Sequence, residues 1–206
     1  MAMPVRFLYF DLGKVLVDFS VEQMCRQVAV VAGLEPAVVR EAIFADGLQE
    51  RYERGEVSDR QFYDLFCQRT QSRADLAALR QAANDIFTLN MPIVPLVAQL
   101  AEAGYRLGIL SNTCEGHWEH CRRRFRILES APLHALSYRI GACKPAAAIF
   151  RAAAELADCQ PAEIFYVDDI AGHVEGARAV GFDAVRYTST AALAAELRQR
   201  GLEFNY

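Results

Sequence analysis

The sequence has no Cys-x-x-Cys pair: its six cysteines are scattered as Cys25, Cys67, Cys114, Cys121, Cys143 and Cys159. Such spacing supplies neither a disulfide framework nor a thiolate zinc site, so the thiols read as reduced and structural. No apolar run approaches the ~20 residues of a membrane-spanning helix. The N-terminus also lacks the charged region, apolar stretch and cleavage site of a signal peptide, and a cytoplasmic protein is expected. Excess positive charge is missing as well. The formal net charge of −4 leaves no electrostatic footprint for nucleic acid or an anionic membrane. Neither Gly-x-x-x-x-Gly-Lys-Ser/Thr nor a strand-linked Gly-x-Gly-x-x-Gly occurs, which removes the glycine-rich nucleotide loops. There are no internal repeats, and no protein partner is implied. With 206 residues, 53% of them apolar, the chain has room for one sizeable core with one elaboration.

What is present begins with Phe7-Leu8-Tyr9-Phe10-Asp11-Leu12-Gly13, an apolar run that stops on one carboxylate and turns at a glycine. It reads as a buried parallel strand delivering Asp11 to the carboxyl edge of a sheet, where open α/β proteins bind their ligands. From Ser20 to about Leu89 the apolar residues recur at helical spacing. Ser20-Val-Glu-Gln23 and Ser58-Asp-Arg-Gln61 have the form of capping boxes, Pro36 can open a helix, and Gly33 and Gly55 mark stops. No strand is expected in this stretch. From Pro92 onward helix and strand alternate: Ile93 to Ala103 then Tyr105 to Leu110, Ala146 to Leu156 then Ile164 to Val167, and Val174 to Val180 then Ala184 to Tyr187. A last helix follows from about Thr190 to Arg200. The pattern predicts a doubly wound, mainly parallel, Rossmann-like α/β sheet over residues 1–17 and 90–206, with an all-helical insertion over 18–89.

Four points in this pattern stand at strand ends or in the loops after them: Asp11, Ser111-Asn112-Thr113, Lys144 in Gly141-Ala142-Cys143-Lys144-Pro145, and Asp168-Asp169. A doubly wound sheet brings those ends to one crevice. Three carboxylates there repel one another, and an all-oxygen set with open positions suits Mg²⁺. A hydroxyl, helix-start N–H groups and a lysine suit phosphate oxygens. The set therefore points to phosphoryl transfer. Cys114, His117, His120 and Cys121 lie within eight residues of one another, but one regular helix cannot converge all four on a tetrahedral ion. They read as structural.

In these pieces and their order the chain resembles the haloacid dehalogenase superfamily. The segments around Asp11, Ser111 with His117, and Asp168-Asp169 with Gly176-Ala177-Arg178 are most similar to the branch of bacterial α-D-glucose-1-phosphate phosphatase and the N-terminal phosphatase domain of soluble epoxide hydrolases. Glu53-Arg54-Gly55-Glu56-Val57-Ser58 is similar to that branch's helical cap. The resemblance implies a Mg²⁺-dependent phosphatase of a small phosphorylated metabolite, a sugar phosphate in class. Asp11 would be the nucleophile and form an aspartyl-phosphate. Mg²⁺ would be held by Asp11, the Gly13 carbonyl and Asp169, with Asp168 in or just behind that set. Ser111 and the Asn112 N–H would bind the phosphoryl oxygens, and Lys144 would offset charge.

The chain departs from the usual pattern at Gly13, where most phosphatases of the superfamily carry a second Asp as general acid. The same Gly occurs in the glucose-1-phosphate phosphatase branch. His117 is a candidate substitute by position, Lys14 could contact phosphate, and His173 could alter the metal's surroundings. Two other readings stay open: a metal-independent 2-haloacid dehalogenase, which also lacks the second Asp, and a non-enzymatic phospho-ligand binder. The region from Phe44 to Tyr63 is the expected closing surface over the site.

Overall fold

In a computed structural model that describes residues 4–206, the first apolar run is the middle of the molecule. Phe7–Phe10 forms strand β1 with all four side chains buried. A parallel strand covered on both faces has to be apolar at every position, which is why the run does not alternate. Residues 1–3, which the sequence reading places in the core segment, lie outside the described residues.

After β1 come the two-residue strand β2 (Val17–Asp18) and five helices: α1 (Val21–Ala32), α2 (Pro36–Phe44), α3 (Leu48–Glu53), α4 (Asp59–Thr70) and α5 (Leu76–Asn84). Local chemistry sets their ends. Ser58 and Gln61 form the reciprocal capping box, whereas at Ser20 only the half in which its hydroxyl accepts the Gln23 N–H is made. Asp75 caps α5, and Pro36 opens α2. The expectation of no strand over this stretch is corrected at its far end. Thr88–Leu89 forms β3, antiparallel to β2. Two residues are too few for periodicity to register, and Asn90 secures the pairing instead. Its N–H donates to Leu16 O at 3.1 Å, and its amide nitrogen donates to Val15 O at 2.7 Å and Tyr187 Oη at 3.0 Å.

The remainder alternates. α6 (Val94–Glu102) leads into β4 (Arg106–Ser111), α7 (Glu115–Arg124), β5 (Leu133–Leu136) and the one-turn α8 (Ser137–Ile140). Then follow α9 (Ala147–Ala157), β6 (Ile164–Asp168), α10 (Ala171–Val180), β7 (Asp183–Arg186) and α11 (Thr190–Gln199). The sheet order is β5-β4-β1-β6-β7, and every neighbouring pair is parallel. β5 is the strand that the sequence pattern does not predict, because this edge strand is only half-buried at Leu133 and His134.

Alternate residues of β1 serve opposite layers. Phe7 and Tyr9 cluster with Ile149, Phe150 and Val174 of α9 and α10, while Leu8 and Phe10 cluster with Leu96, Leu100, Leu193 and Leu197 of α6 and α11. Each such buried side chain contributes roughly 1.5–3 kcal/mol. The connection leaving β1 leads to β4 on one side, and the one leaving β6 leads to β7 on the other. The chain thus diverges between β1 and β6, and the crevice beyond their carboxyl ends is the favoured ligand position in such sheets. Asp11 and Asp168 stand at those two ends.

Candidate active site

Lys144 is the hub of the crevice. Its side chain is fully buried, and Nζ lies 2.9 Å from Asp11 Oδ1 and 2.6 Å from Asp168 Oδ2. The same ammonium reaches Leu110 O at 3.1 Å and Tyr166 Oη at 2.9 Å, so three N–H donors are shared among four oxygens. Burial opposes a charge on the lysine, but Asp11 and Asp168 outweigh it and hold the ammonium above its usual pKa.

The loop carrying Lys144 is fastened by Asn112. The amide nitrogen of Asn112 donates to Lys144 O at 3.0 Å, and its amide oxygen accepts the Lys144 N–H at 2.7 Å. Ser137 locks the turn after β4 in a similar way, accepting the Thr113 N–H at 2.9 Å and donating to Thr113 O at 3.0 Å. The sequence reading used only the backbone of Asn112 and missed this side-chain role. Ser137 and Tyr166 were missed as well. Tyr166 did leave a signal, because it sits two residues before Asp168 and so projects from the same side of β6.

Asp11 is buried, and its carboxyl is pushed up to about 6, first by burial and then by the Asp168 charge, with Lys144 and Ser111 acting the other way. Burial also works against Asp168, yet hydrogen bonds from His173, Lys144 and Tyr166 hold it below the usual carboxylate range. Its two oxygens are heavily engaged. Oδ1 accepts the Ile170 N–H at 2.8 Å, His173 Nδ1 lies 3.1 Å from Oδ2, and Tyr166 Oη donates to Oδ2. Asp169, half-buried, is raised by its own burial and by Asp168 beside it, and among the described residues no other residue donates to its side chain. One carboxylate oxygen from each of Asp11, Asp168 and Asp169 lies within 4.8 Å of the others. Among the described residues this is the only His, Cys, Asp or Glu cluster with such geometry, so Cys114, His117, His120 and Cys121 do not converge.

Beside Asp11 opens a cavity of about 110 Å³, to which Leu12, Gly13, Ser111, Asn112, Thr113 and His117 contribute from the sheet side. Phe44, Gln49 and Glu53, within the expected closing surface, line it from the helical insertion. Phe19, Met24 and Phe87 make its walls largely apolar. Lys14 does not turn toward this cavity's polar end. Its Nζ donates to Phe19 O at 2.8 Å and lies 3.6 Å from Asp18, tying the turn that leads into the insertion. A wider basin of about 710 Å³ lies elsewhere, between Asp59, Arg80, Glu119 and Arg124.

Residues 7–181, most of the chain and every strand end just described, match the family of haloacid dehalogenase-like hydrolases. The chain belongs to this family. As a haloacid dehalogenase-like hydrolase it shares its fold with a HAD family enzyme of Bacteroides thetaiotaomicron solved with magnesium and inorganic phosphate. The two are 24% identical, with 89% of this chain and 94% of that one covered, at a TM-score of 0.80. A HAD-like family hydrolase of Porphyromonas gingivalis is similar at 21% identity, 95% and 99% coverage and a TM-score of 0.82. The L-2-haloacid dehalogenase of Xanthobacter autotrophicus, solved with chloropropionic acid covalently bound, is similar at 19% identity, 95% and 83% coverage and a TM-score of 0.65. These hydrolase structures establish the fold. Of its described residues, this family member has no helix long and apolar enough to cross a membrane.

Proposed function

We propose that this protein is a Mg²⁺-dependent phosphatase of a small phosphorylated metabolite, a sugar phosphate in class, working through an aspartyl-phosphate on Asp11. The observation that carries the reading is the disposition of three carboxylates around one lysine. Lys144 neutralises only one of the negative charges, Asp168 is consumed by its hydrogen bonds, and Asp169 and Asp11 keep oxygens within reach of a common cation. A hard divalent ion of the magnesium type fits such an all-oxygen, partly open set. Asp11, the Gly13 carbonyl and Asp169 would hold it, with Asp168 just behind, orienting the site through Lys144 and Tyr166. Bound there, Mg²⁺ would supply charge neutralisation to the phosphoryl oxygens.

The chain's own residues would do the rest. Ser111 and the Asn112 N–H bind phosphoryl oxygens, and Lys144 keeps Asp11 anionic and screens it from the approaching phosphate. An Asp11 oxygen attacks phosphorus as the bond to the alcohol oxygen breaks. Water then attacks the same phosphorus, the bond to Asp11 breaks, and inorganic phosphate leaves with the carboxylate restored. The cavity of about 110 Å³ limits the organic part to a small metabolite. Similarity to the glucose-1-phosphate phosphatase branch supports an anomeric sugar phosphate, and we place the protein in the cytoplasm with no nucleic acid, membrane or protein partner.

The apolar cavity walls favour one rival, a metal-independent dehalogenase in which Asp11 attacks a 2-haloacid carbon. Hydrolysis of p-nitrophenyl phosphate and a sugar-phosphate panel with Mg²⁺ or EDTA, beside Asp11→Asn, separates the two. Phosphate release that needs Mg²⁺ and Asp11 is expected. Halide release without metal and without phosphatase activity would sink the proposal. Ligand binding without turnover, unchanged in Asp11→Asn, would mark a phospho-ligand binder.

A further inference from the structure

Expelling an alcohol from phosphorus requires a proton at the departing oxygen, and the groups around Asp11 differ sharply in their ability to give one. Position 13 has no side chain, and its space is filled: a Cβ there would stand 2.8 Å from the Phe19 ring. Lys144 is committed to Asp11 and Asp168. His117 lines the cavity and packs edge-on against Phe87, with ring centroids 5.1 Å apart. Burial pushes its pKa down to about 4, so it carries no surplus proton near neutrality. One carboxyl group remains among the residues lining the cavity, that of Glu53.

Glu53 is the last residue of α3, and the structure fixes where it sits. Two residues later Gly55 has φ +69° and lies flush against the sheet-bearing part of the protein, where a Cβ would fall 2.2 Å from Tyr138 O. That contact seats the end of α3 over the cavity and forbids any larger residue at the corner. Glu53 Oε1 accepts from Gln49 Nε2 at 2.8 Å, which orients the carboxyl. A helix C-terminus disfavours an anion, and so does a largely apolar cavity.

We infer that Glu53 is the proton donor to the leaving group, brought to the site by the helical insertion in place of an acid at position 13. This rests on the phosphatase reading above. The proton passes from the Glu53 carboxyl to the alcohol oxygen as the phosphorus–oxygen bond breaks. The resulting carboxylate takes a proton from the water that next attacks phosphorus, so the group returns to its starting state. Its surroundings suit a retained proton. Burial raises the Glu53 pKa, Gln49 and Lys144 lower it, and Glu50 and Asp11 raise it. Glu53 in turn adds to burial in raising the Cys143 and Cys114 thiols, and Arg54 is turned to Glu56 at 2.6 Å.

The test compares wild type, Glu53→Gln and Glu53→Asp on phenyl, p-nitrophenyl and dinitrophenyl phosphate with Mg²⁺, reading kcat/KM against pH. The three leaving phenols become progressively more acidic, and none has sugar hydroxyls that Glu53 could bind. For Glu53→Gln a loss of about 100- to 10,000-fold is expected on phenyl phosphate, falling at least about tenfold as the phenol becomes more acidic. The alkaline fall in the phenyl phosphate profile should also disappear, and Glu53→Asp should recover part of the rate. Equal loss on all three esters would make Glu53 a positioning residue, and no loss on any would make it a bystander. Either result overturns the inference. A wild type inactive on all three, or rates unchanged in Asp11→Asn, would instead overturn the phosphatase reading and this inference with it.

Discussion

Lys144 Nζ stands 2.9 Å from Asp11 Oδ1, with the lysine side chain wholly removed from solvent. An ion pair of this kind is weak support for stability as a pair, yet breaking it from one side is costly, because a buried charge is left without compensation. Here two carboxylates depend on one ammonium. Lys144→Met should therefore lose about 3–5 kcal/mol in urea unfolding near neutral pH. Adding Asp168→Asn to that variant should recover a measurable part of the loss. A Lys144→Met protein as stable as wild type would show that the carboxylates do not need the lysine.

Asn112 acts on Lys144 through the main chain, with bonds of 2.7 and 3.0 Å to its N–H and carbonyl. Asn112→Ala leaves both groups without their partner, at about 1–3 kcal/mol for each one that stays buried and unsatisfied. The expected phenotype is a lower melting temperature together with a fall in kcat that exceeds any rise in KM, since the ammonium is misplaced while the backbone N–H of residue 112, proposed to bind phosphate, is kept. Thermal melts and steady-state kinetics on the same preparation check both parts. A KM effect alone would argue that Asn112 only touches substrate.

His173 reaches the site through Asp168, with Nδ1 3.1 Å from Oδ2 and 3.2 Å from Oδ1. Partners that orient metal-binding carboxylates typically change metal affinity about 10- to 100-fold when removed. His173→Ala should accordingly raise the Mg²⁺ concentration needed for half-maximal activity by about tenfold, with the maximal rate at saturating Mg²⁺ much less affected. Calorimetric titration of Mg²⁺ into both proteins gives the same comparison without turnover. Identical Mg²⁺ curves would remove His173 from the metal's surroundings.

Asp11, Ser111 and Asp168-Asp169 could be read from the sequence because each follows an apolar segment at a strand end, and Lys144 because its loop lies between two such strands; strand ends and the loops after them converge in a doubly wound sheet. Tyr166 left only its register with Asp168 as a signal, since an aromatic within a buried strand looks like core until its hydroxyl is seen between Lys144 and Asp168. β3 and β5 were hidden for a different reason. Their pairing is held by Asn90 in one case and by a half-exposed sheet edge in the other, and neither leaves a period in the sequence. Glu53 is the clearest limit. Its segment resembles a cap, but its place over the cavity depends on Gly55 meeting Tyr138 across 83 residues of chain, a contact no local pattern encodes.

His117 shows how the same cavity couples acid to stability. Burial is the main reason its pKa falls from 6.5 to about 4, with His120 adding to the fall and the Ala83 backbone and Asp59 opposing it. Above pH 6.5 the imidazole is neutral in the folded and unfolded chains alike and contributes no pH dependence. Between 6.5 and 4 the unfolded chain takes up a proton that the folded protein refuses, so stability falls as pH falls, and below 4 both are protonated and the loss stops growing. A shift of this size corresponds to roughly 3 kcal/mol at its fullest. Asp11 titrates in the same region, which makes the difference between wild type and His117→Gln the informative quantity. Unfolding free energies from urea titrations at a series of pH values should converge with acidification, the variant losing about 3 kcal/mol less than wild type from pH 6.5 to 4. Parallel curves would mean that His117 is protonated in the fold as readily as in the unfolded chain. The imidazole would then be a second proton source in the cavity, and kinetics on phenyl phosphate would have to be run on His117→Gln beside Glu53→Gln.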